Sequence, residues 1–380
     1  MSGGITQLVA TGVQDAYLSG SPEVSFFRSS YKRYTHFAST VERQLIQGTP
    51  SAGSTSLIRF EKKGDLLSHV YLSSLDPRTN MSNVLQRWDQ VISKIELLIG
   101  GQIIDTHDFP YCSNIEPIVG AQTFSTREVS GSGVSNFFPL KFFFCKDWQS
   151  ILPLVALQYH DVELRITWGN AINDSIAVWT RFIYLDKEER EFFANKSHDI
   201  LITQVHRSVI TAVNNYEFAL SQPVKFIAFE SNNYATQYSV AIGGDAPNQY
   251  ADVDAANAAA RLQFKIQING NDIGESKSLD HWVDVNQYYL TPFGYKPYAG
   301  ANGTNTANVA IIPFCLDTSK LQPTGTINFS RIDTFRLITP VNSNFQLLAR
   351  NADTATQYFY AVNYNILRIQ NGMAGVLYAS

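Results

Sequence analysis

Residues 95–104 read IELLIGGQII, and residues 264–273 read FKIQINGNDI. Each stretch alternates apolar residues with other residues, reaches a turn that contains glycine, and resumes with isoleucine. A two-residue period predicts β-strands, and a Gly-Gly or Asn-Gly turn between two such runs predicts a hairpin. The second stretch follows the first at an offset of 169 residues, 264 minus 95. The sequence therefore predicts one strand-turn-strand unit that occurs twice.

A second pair of similar stretches has nearly the same offset. YHDVELRIT (159–167) resembles RIDTFRLIT (331–339) at 331 minus 159, or 172 residues. Two matches at nearly the same spacing predict a duplicated domain. Many short alternating runs with turns between them, continuing from about residue 25, favour β-sandwiches or barrels.

The composition suits this interpretation. The 380 residues are enough for two domains. Charged residues make up only 16%, and the 24 Phe and 19 Tyr favour strands and extensive buried surface, including subunit interfaces. The net charge of −4 argues against a protein whose main task is to bind nucleic acid.

Neither disulfide nor metal chemistry is indicated by the cysteines. Cys112, Cys145 and Cys315 are widely spaced and form no CxxC motif or Cys/His cluster, so we expect reduced thiols. Residues 1–27 contain no Lys or Arg, and the longest apolar run, ILPLVALQY (151–159), is shorter than the roughly 20 residues that span a bilayer. We expect a soluble protein that is not exported by the usual route.

Two segments differ from the strand pattern. Near the N-terminus, apolar side chains recur at helical spacing until Gly20-Ser21-Pro22: Ile5, Leu8, Val9, Val13, Ala16 and Tyr17. This spacing predicts a short amphipathic helix, for which three positions remain open. It packs on its own domain, reaches a neighbouring subunit or, least favoured, lies on a membrane surface. LDKEEREFFANK (185–196) predicts a linking helix whose carboxylates are solvated: Asp186, Glu188, Glu189 and Glu191. We expect an arm (1–24), a first domain (25–185), a linker helix (186–198) and a second domain (199–380).

No motif typical of phosphate binding, zinc hydrolysis or a serine nucleophile is present in the sequence. His160 has Asp161 and Glu163 nearby, but strand parity places those carboxylates on the opposite face, which favours a core or rim histidine. The basic and aromatic stretch FFRSSYKRYTHF (26–37) fits a subunit or partner contact better than nucleic acid. We expect no catalytic, cofactor-binding or metal-binding residues.

Five glycosylation sequons are present in the sequence, a number that we attribute to chance. They begin at Asn80, Asn173, Asn195, Asn302 and Asn328.

LQPTGTINFSRID (321–333) contains Ser330, Arg331 and Asp333, which together suggest a functional loop. Its pattern instead predicts a Pro-Thr-Gly turn, a half-buried strand over 327–330 and a bulge near Arg331. Arg331 and Asp333 would then share a strand face, where we expect a local ion pair or neighbour contact. Two further stretches predict long surface loops: 243–260 and 299–310.

Longer motifs resemble one known family from end to end. The opening GGITQLVATGVQDAYLSGSPEVSFFRSSYKRYTHFA resembles its N-terminal signature, and later stretches resemble its consecutive motifs in order. These stretches are KIELLIGGQIID (94–105), PLKFFFCKDWQSILPLVALQYHDVELRI (139–166), FIYLDKEEREFFANKSHDILITQV (182–205), LQPTGTINFSRID (321–333) and YNILRIQNGMAGVLYAS (364–380). The chain is similar to the major capsid proteins of nucleocytoplasmic large DNA viruses, the double jelly-roll family.

The resemblance implies an all-β fold of two tandem eight-stranded antiparallel jelly-roll β-sandwiches with short linking helices. It also implies a structural capsid subunit, not an enzyme, that forms pseudo-hexagonal homotrimers and tiles an icosahedral shell. Expected partners are neighbouring capsomers and minor and penton capsid proteins, with the arm near an internal membrane and no direct nucleic-acid binding. Expected locations are the virion capsid and, during assembly, the host cytoplasm. Alternatives are a minor or penton-type capsid protein or, less favoured, a carbohydrate-binding β-sandwich.

Overall fold

A computed structural model describes the greater part of the chain. The contacts between residues divide the chain into two compact units, residues 1–36 and 37–380. The described residues are 3–9, 12–75, 86–120, 134–135, 137–170, 172, 175–211, 215–230, 263–278, 281–292, 309–338 and 356–378.

The first unit contains short helical segments. Helix α1 spans Gly3–Val9, a 3₁₀ turn spans Val13–Asp15, and α2 spans Ala16–Ser19. Gly12 is extended, with φ −142° and ψ 159°, so the single helix predicted through this region is interrupted there. The helical region ends at Ser19, as Gly20-Ser21-Pro22 predicted. The side chains described in this unit are exposed.

Twelve strands occupy the described part of the first half. They are β1 Phe37–Gln44, β2 Ile46–Gln47, β3 Thr55–Arg59, β4 Leu66–Leu75, β5 Gln86–Arg87, β6 Ile92–Ile99, β7 Gln102–Asp108, β8 Val134–Ser135, β9 Phe137–Pro139, β10 Leu152–Pro153, β11 Val162–Trp168 and β12 Ser175–Leu185. One sheet has the order β1-β12-β4-β10 with β9 beside β4, the other β2-β3-β11-β6-β7, and β5 pairs with β8. The first strand begins at Phe37, so the expectation of strands from about residue 25 was wrong by twelve residues, 37 minus 25.

Helical segments connect these strands. They are α3 Trp88–Val91, a π-helical turn Tyr111–Ile115, α4 Glu116–Val119, and 3₁₀ turns at Phe143–Cys145, Trp148–Ser150 and Leu154–Ala156. Helix α5, Lys187–Asn195, leads to the second half, as the charged segment predicted.

Ten further strands occupy the described part of the second half. They are β13 His198–Thr211, β14 Asn215–Phe218, β15 Pro223–Glu230, β16 Gln263–Ile268, β17 Asn271–Ser278, β18 Val309–Pro313, β19 Ile327–Asn328, β20 Phe335–Ile338, β21 Thr356–Gln370 and β22 Met373–Val376. A π-helical turn, His281–Val285, leads into α6, Asn286–Leu290. One sheet has the order β13-β21-β15-β18 with β19 beside β15 and β22 beside β21, and the other has the order β14-β20-β16-β17.

The two halves share one topology. Sheet order β1-β12-β4-β10 corresponds to β13-β21-β15-β18, and β3-β11-β6-β7 corresponds to β14-β20-β16-β17. The paired stretches of the sequence fall on equivalent elements, the hairpins β6–β7 and β16–β17 and the strands β11 and β20. The predicted duplication is confirmed, and the fold is all-β with two tandem jelly rolls. We call them the first and second sandwich.

Both predicted hairpin turns place two residues in the left-handed region. Gly100 and Gly101 have φ of 57° and 81°, and Asn269 and Gly270 have φ of 48° and 81°. Such pairs make turns whose twist matches that of the flanking strands. Asn tolerates the left-handed conformation better than most residues, which explains why Asn can replace the first glycine.

LQPTGTINFSRID differs from its prediction after the turn. Strand β19 has only two residues, and a 3₁₀ turn over Phe329–Arg331 follows it. The Oδ1 of Asn328 accepts hydrogen bonds from the backbone N–H and the hydroxyl of Ser330, at 3.0 and 2.7 Å. This side chain competes with the strand ladder for the backbone, so the predicted strand over 327–330 is confirmed for Ile327 and Asn328 and was wrong for Phe329 and Ser330.

Arg331 and Asp333 therefore do not share a strand face, because neither lies in a strand. The N–H of Asp333 donates to Oδ1 of Asn269 at 2.9 Å, which ties the segment to the β16–β17 turn. The loop expected over 243–260 lies outside the described residues, as do residues 299–308. Val309 and Ala310 belong to the buried strand β18, so the end of that loop prediction was wrong.

Candidate functional site

His160 joins the two sandwiches. Its Nδ1 lies 3.0 Å from the carbonyl oxygen and 3.1 Å from the backbone nitrogen of Ala374, at the β21–β22 hairpin. Asp161 forms ion pairs with Arg59 and Lys62 instead. The histidine is half-buried, which agrees with a rim position, but strand β11 begins only at Val162, so the strand-parity argument for His160 and Asp161 was wrong.

The cysteines are buried and free. Burial raises the pKa of the Cys145 thiol to about 12, which leaves little reactive thiolate at neutral pH. Among the residues that the structure describes, no group of three or more His, Cys, Asp or Glu side chains is arranged to hold a metal ion. Over the same residues, no helix has the length and apolar character to cross a membrane.

Helix α5 carries its carboxylates as the sequence predicted. Asp186 caps it by accepting the N–H of Lys187 at 2.8 Å, and Glu188 and Glu189 lie in the first turn, where they favour the positive end of the helix dipole. Arg190 reaches Asp65 of the first sandwich at 3.0 Å. The helix is thus fixed to the first sandwich by its cationic side chain, with its acidic side chains mostly exposed.

The remaining sequence candidates are spread over the surface. The described sequons at Asn195 and Asn328 are exposed, and those at Asn80, Asn173 and Asn302 lie outside the described residues. The basic and aromatic side chains of the first unit are exposed: Arg28, Tyr31, Lys32, Arg33 and Tyr34.

The main feature that the sequence did not reveal is a set of adjacent strands, β21, β15 and β18, that is buried on both faces. In β15, Phe226 and Ala228 belong to the core of the first sandwich, while Ile227 and Phe229 belong to the core of the second. Strand β18 divides in the same way along its VAII run. The sheet β13-β21-β15-β18 therefore closes the second sandwich and also covers the first. A continuous apolar run, instead of alternation, is the sequence signal of such two-faced burial.

Hydrogen bonds accepted by buried carboxylates reinforce this contact. Asp105 of β7 accepts the backbone N–H of Val205 at 2.9 Å. Asp108 accepts the hydroxyl of Tyr360 at 2.8 Å and pairs with Arg207 at 3.1 Å. Further bonds between the sandwiches run from the Gln204 amide to the Ile104 carbonyl and from the Thr318 hydroxyl to the Val119 carbonyl. These bonds fix the orientation of the two sandwiches as well as their contact.

Glu116 lies at the same boundary and is ionised. It accepts the hydroxyl of Tyr111 at 3.0 Å and pairs with Lys146 at 3.2 Å. Burial alone would raise the pKa of Glu116, but the charges of Lys146 and Lys141 outweigh it and hold the pKa below its usual value. The Tyr111 ring also contacts that of Tyr360 in the second sandwich, with 5.6 Å between centroids. Glu116 and its lysine partners belong to the first sandwich, and the Tyr111 ring that Glu116 holds makes the contact with the second.

Comparisons with known proteins follow this two-part architecture. The family described as major capsid protein N-terminus matches residues 25–191, and the large eukaryotic DNA virus major capsid protein family matches residues 189–375. The major capsid protein of Pyramimonas orientalis virus is 30% identical, and that of Paramecium bursaria Chlorella virus 1 is 29% identical, each over the whole of both chains.

Solved structures agree with the fold. A quasi-atomic model of the PBCV-1 virus capsid matches with a TM-score of 0.68 and 26% identity, covering 94% of this chain and all of that one. The Faustovirus major capsid protein, at 11% identity, matches with a TM-score of 0.58 over 95% of this chain and 94% of its own, which supports the fold alone.

Proposed function

The chain belongs to the large eukaryotic DNA virus major capsid protein family, and we propose that three copies form a pseudo-hexagonal homotrimeric capsomer. Such capsomers would tile the icosahedral shell of a large double-stranded DNA virus. As a member of this structural family, the protein is a component of the virion capsid. Its proposed role is to build the shell and not to catalyse a reaction.

The observation that carries the proposal is the joining of two sandwiches in one chain. A shared core and buried hydrogen bonds make the pair one block with two similar lobes. Three such blocks around a threefold axis provide six lobes and so an outline that is nearly hexagonal. Cyclic symmetry closes the ring, so growth stops at three chains until capsomers meet side by side.

Exposed aromatic side chains are candidates for contacts between copies. Tyr288 and Tyr289 on α6, Phe137 on β9 and Trp148 in a 3₁₀ turn are exposed on the described surface. Large aromatic side chains contribute much of the binding energy when an interface buries them. We assign these side chains to contacts within the trimer or with neighbouring capsomers.

The N-terminal unit supplies a second kind of surface. Its apolar side chains are exposed: Ile5, Leu8, Val9, Val13 and Tyr17. We propose that this arm meets minor and penton capsid proteins on the inner side of the shell, near the internal membrane. Residues 1–24 would form the arm, 25–185 and 199–380 the two jelly-roll domains, and 186–198 their linker.

The proposed site of assembly is the host cytoplasm. Three buried free thiols suit a reducing compartment. We expect no direct contact with nucleic acid, because the chain has 29 basic against 33 acidic residues.

The molar mass in solution tests the trimer. Light scattering of the purified full chain should give about 127.5 kDa, three times the chain mass of 42.5 kDa. A stable particle of one chain mass under native conditions would contradict the proposal. Subunit stoichiometry in intact particles separates the principal shell protein from a minor or penton-type component, because only the former outnumbers every other capsid chain.

A further inference from the structure

A cavity of about 80 Å³ lies between the two sandwiches, beside the hydrogen bond that the Thr318 hydroxyl donates to the Val119 carbonyl. The first sandwich contributes Glu116 and Lys146 to its wall, and the second contributes Lys225, Thr318 and Tyr364. One water molecule needs roughly 10–15 Å³ of such volume. The space therefore has room for a small ion with several oxygen atoms.

Lys225 is a buried cation beside this space. Its side chain belongs to a residue only 3% exposed, and its Nζ donates to the carbonyl oxygens of Thr318 and Lys320 at 2.7 and 3.3 Å. An ammonium group has three N–H donors, so these two bonds leave one donor. Both acceptors are neutral, and no carboxylate among the described residues forms an ion pair with Lys225. A buried charge without a counter-ion is costly.

The neighbouring charges do not neutralise Lys225. Glu116 already pairs with Lys146 and accepts the Tyr111 hydroxyl. Asp147 also lines the cavity but is half-buried, and its Oδ1 accepts the N–H of Trp148 at 2.6 Å. Asp317 is also near but pairs with Lys320 at 3.6 Å. Burial lowers the pKa of Lys225 to about 8, with Lys146 acting in the same direction and Glu116 and Asp317 against it. Lys225 is therefore still mostly protonated at neutral pH.

Tyr364 contributes a second buried polar group whose hydrogen bonding is not satisfied. Its hydroxyl is buried and has no hydrogen-bond partner among the described residues, and its ring centre lies 5.3 Å from Nζ of Lys225. Burial raises the pKa of this hydroxyl to about 12, so it remains a neutral donor. Buried polar groups in native proteins are almost always satisfied by protein, water or an ion.

We propose that this cavity binds a small inorganic oxyanion of the phosphate or sulfate class, which bridges the sandwiches through Lys225, Tyr364 and Lys146. An oxyanion accepts several hydrogen bonds and carries the charge that Lys225 lacks, whereas water supplies acceptors without charge. The size of the cavity favours a free ion over a phosphorylated macromolecule. Because its ligands come from both sandwiches, the ion would stabilise their contact.

Thermal unfolding of the full chain in increasing inorganic phosphate, at constant ionic strength, tests the proposal. Phosphate at ten times its Kd should raise Tm by about 2 °C. Lys225→Met should abolish the rise, while Lys187→Met, at a side chain that is 85% exposed, should retain it. Tyr364→Phe removes only the unpartnered hydroxyl and should weaken phosphate binding about fivefold.

Acylation of Lys225, followed by mass spectrometry of the unsubstituted protein, gives an independent readout if Lys225→Met does not fold. Phosphate should slow the reaction at Lys225, because a bound anion stabilises the unreactive ammonium, and should leave Lys187 unaffected. An equal Tm rise in Lys225→Met would overturn the proposal. So would a cavity that holds water only, shown by no phosphate-dependent Tm shift and no protection of Lys225.

Discussion

The two sheets of the second sandwich have corresponding strands but differ in what covers them. Strands β21, β15 and β18 of one sheet are buried on both faces, by the second sandwich's own core and by the first sandwich. In the sheet β14-β20-β16-β17, the outer strand β17 is exposed along nearly its whole length. The difference shows that the second sandwich is completed by the first, and that the pair is the structural unit. Among the described residues, no strand pairs with the outer side of β17.

The largest effect should come from truncating the shared core. Phe226→Ala removes a ring buried between the sandwiches and should cost about 3–5 kcal/mol of unfolding free energy, because a cavity remains. Ile273→Ala on β17, where the side chain is half exposed, should cost about 0.5 kcal/mol or less. Denaturant unfolding measures both. Equal losses of unfolding free energy in the two variants would show that burial of the sheet between the two sandwiches does not stabilise the fold.

A smaller effect should come from the buried carboxylate that joins β7 to the second sandwich. Asp108→Asn weakens the bonds to Tyr360 and Arg207 and should cost about 1–3 kcal/mol. Its matched control is Asp199→Asn, which alters an exposed pair with Arg368 and should cost about 0–1 kcal/mol. Chemical denaturation measures the unfolding free energy of both variants. A larger loss in Asp199→Asn than in Asp108→Asn would contradict the structural role given to Asp108.

The smallest expected effect is a change in how stability depends on pH in acid. Since the pKa of Glu116 is lowered in the folded protein, its ion pair stabilises the fold above the usual glutamate pKa of about 4.3. That stability is lost as pH falls through the lower folded-state pKa. Glu116→Gln should therefore flatten the decline of Tm below about pH 4.3, whereas Glu191→Gln, on the exposed face of α5, should not. Parallel acid profiles for all three proteins would show that Glu116 is not coupled to folding.

The sequence alone predicts those parts of the fold that depend on residues close together in the chain. Val162 to Trp168 alternate strictly between buried and half-buried positions, so periodicity identifies β11. The hairpin turns at Gly100 and Asn269 follow from the need for left-handed backbone. Local competition explains the failure at Asn328, whose side chain bonds to Ser330 and ends the strand.

The features that the sequence did not predict depend on contacts between residues far apart in the chain. Val309 and Ala310 follow a run of small residues, and only the neighbouring strand β15 shows that they are core. The apolar runs in β15 and β18 indicate burial, but nothing in them indicates that one face meets the other sandwich. Lys225 looks like an ordinary strand lysine in the sequence. The folded chain buries it beside a cavity whose walls come from segments far apart in the chain.

Electron microscopy of the purified full chain shows whether the joined pair of sandwiches is one third of a six-lobed block. Particles with a nearly hexagonal outline, threefold symmetry and six lobes are expected. Isolated particles with two lobes, at concentrations where the protein is folded, would contradict it.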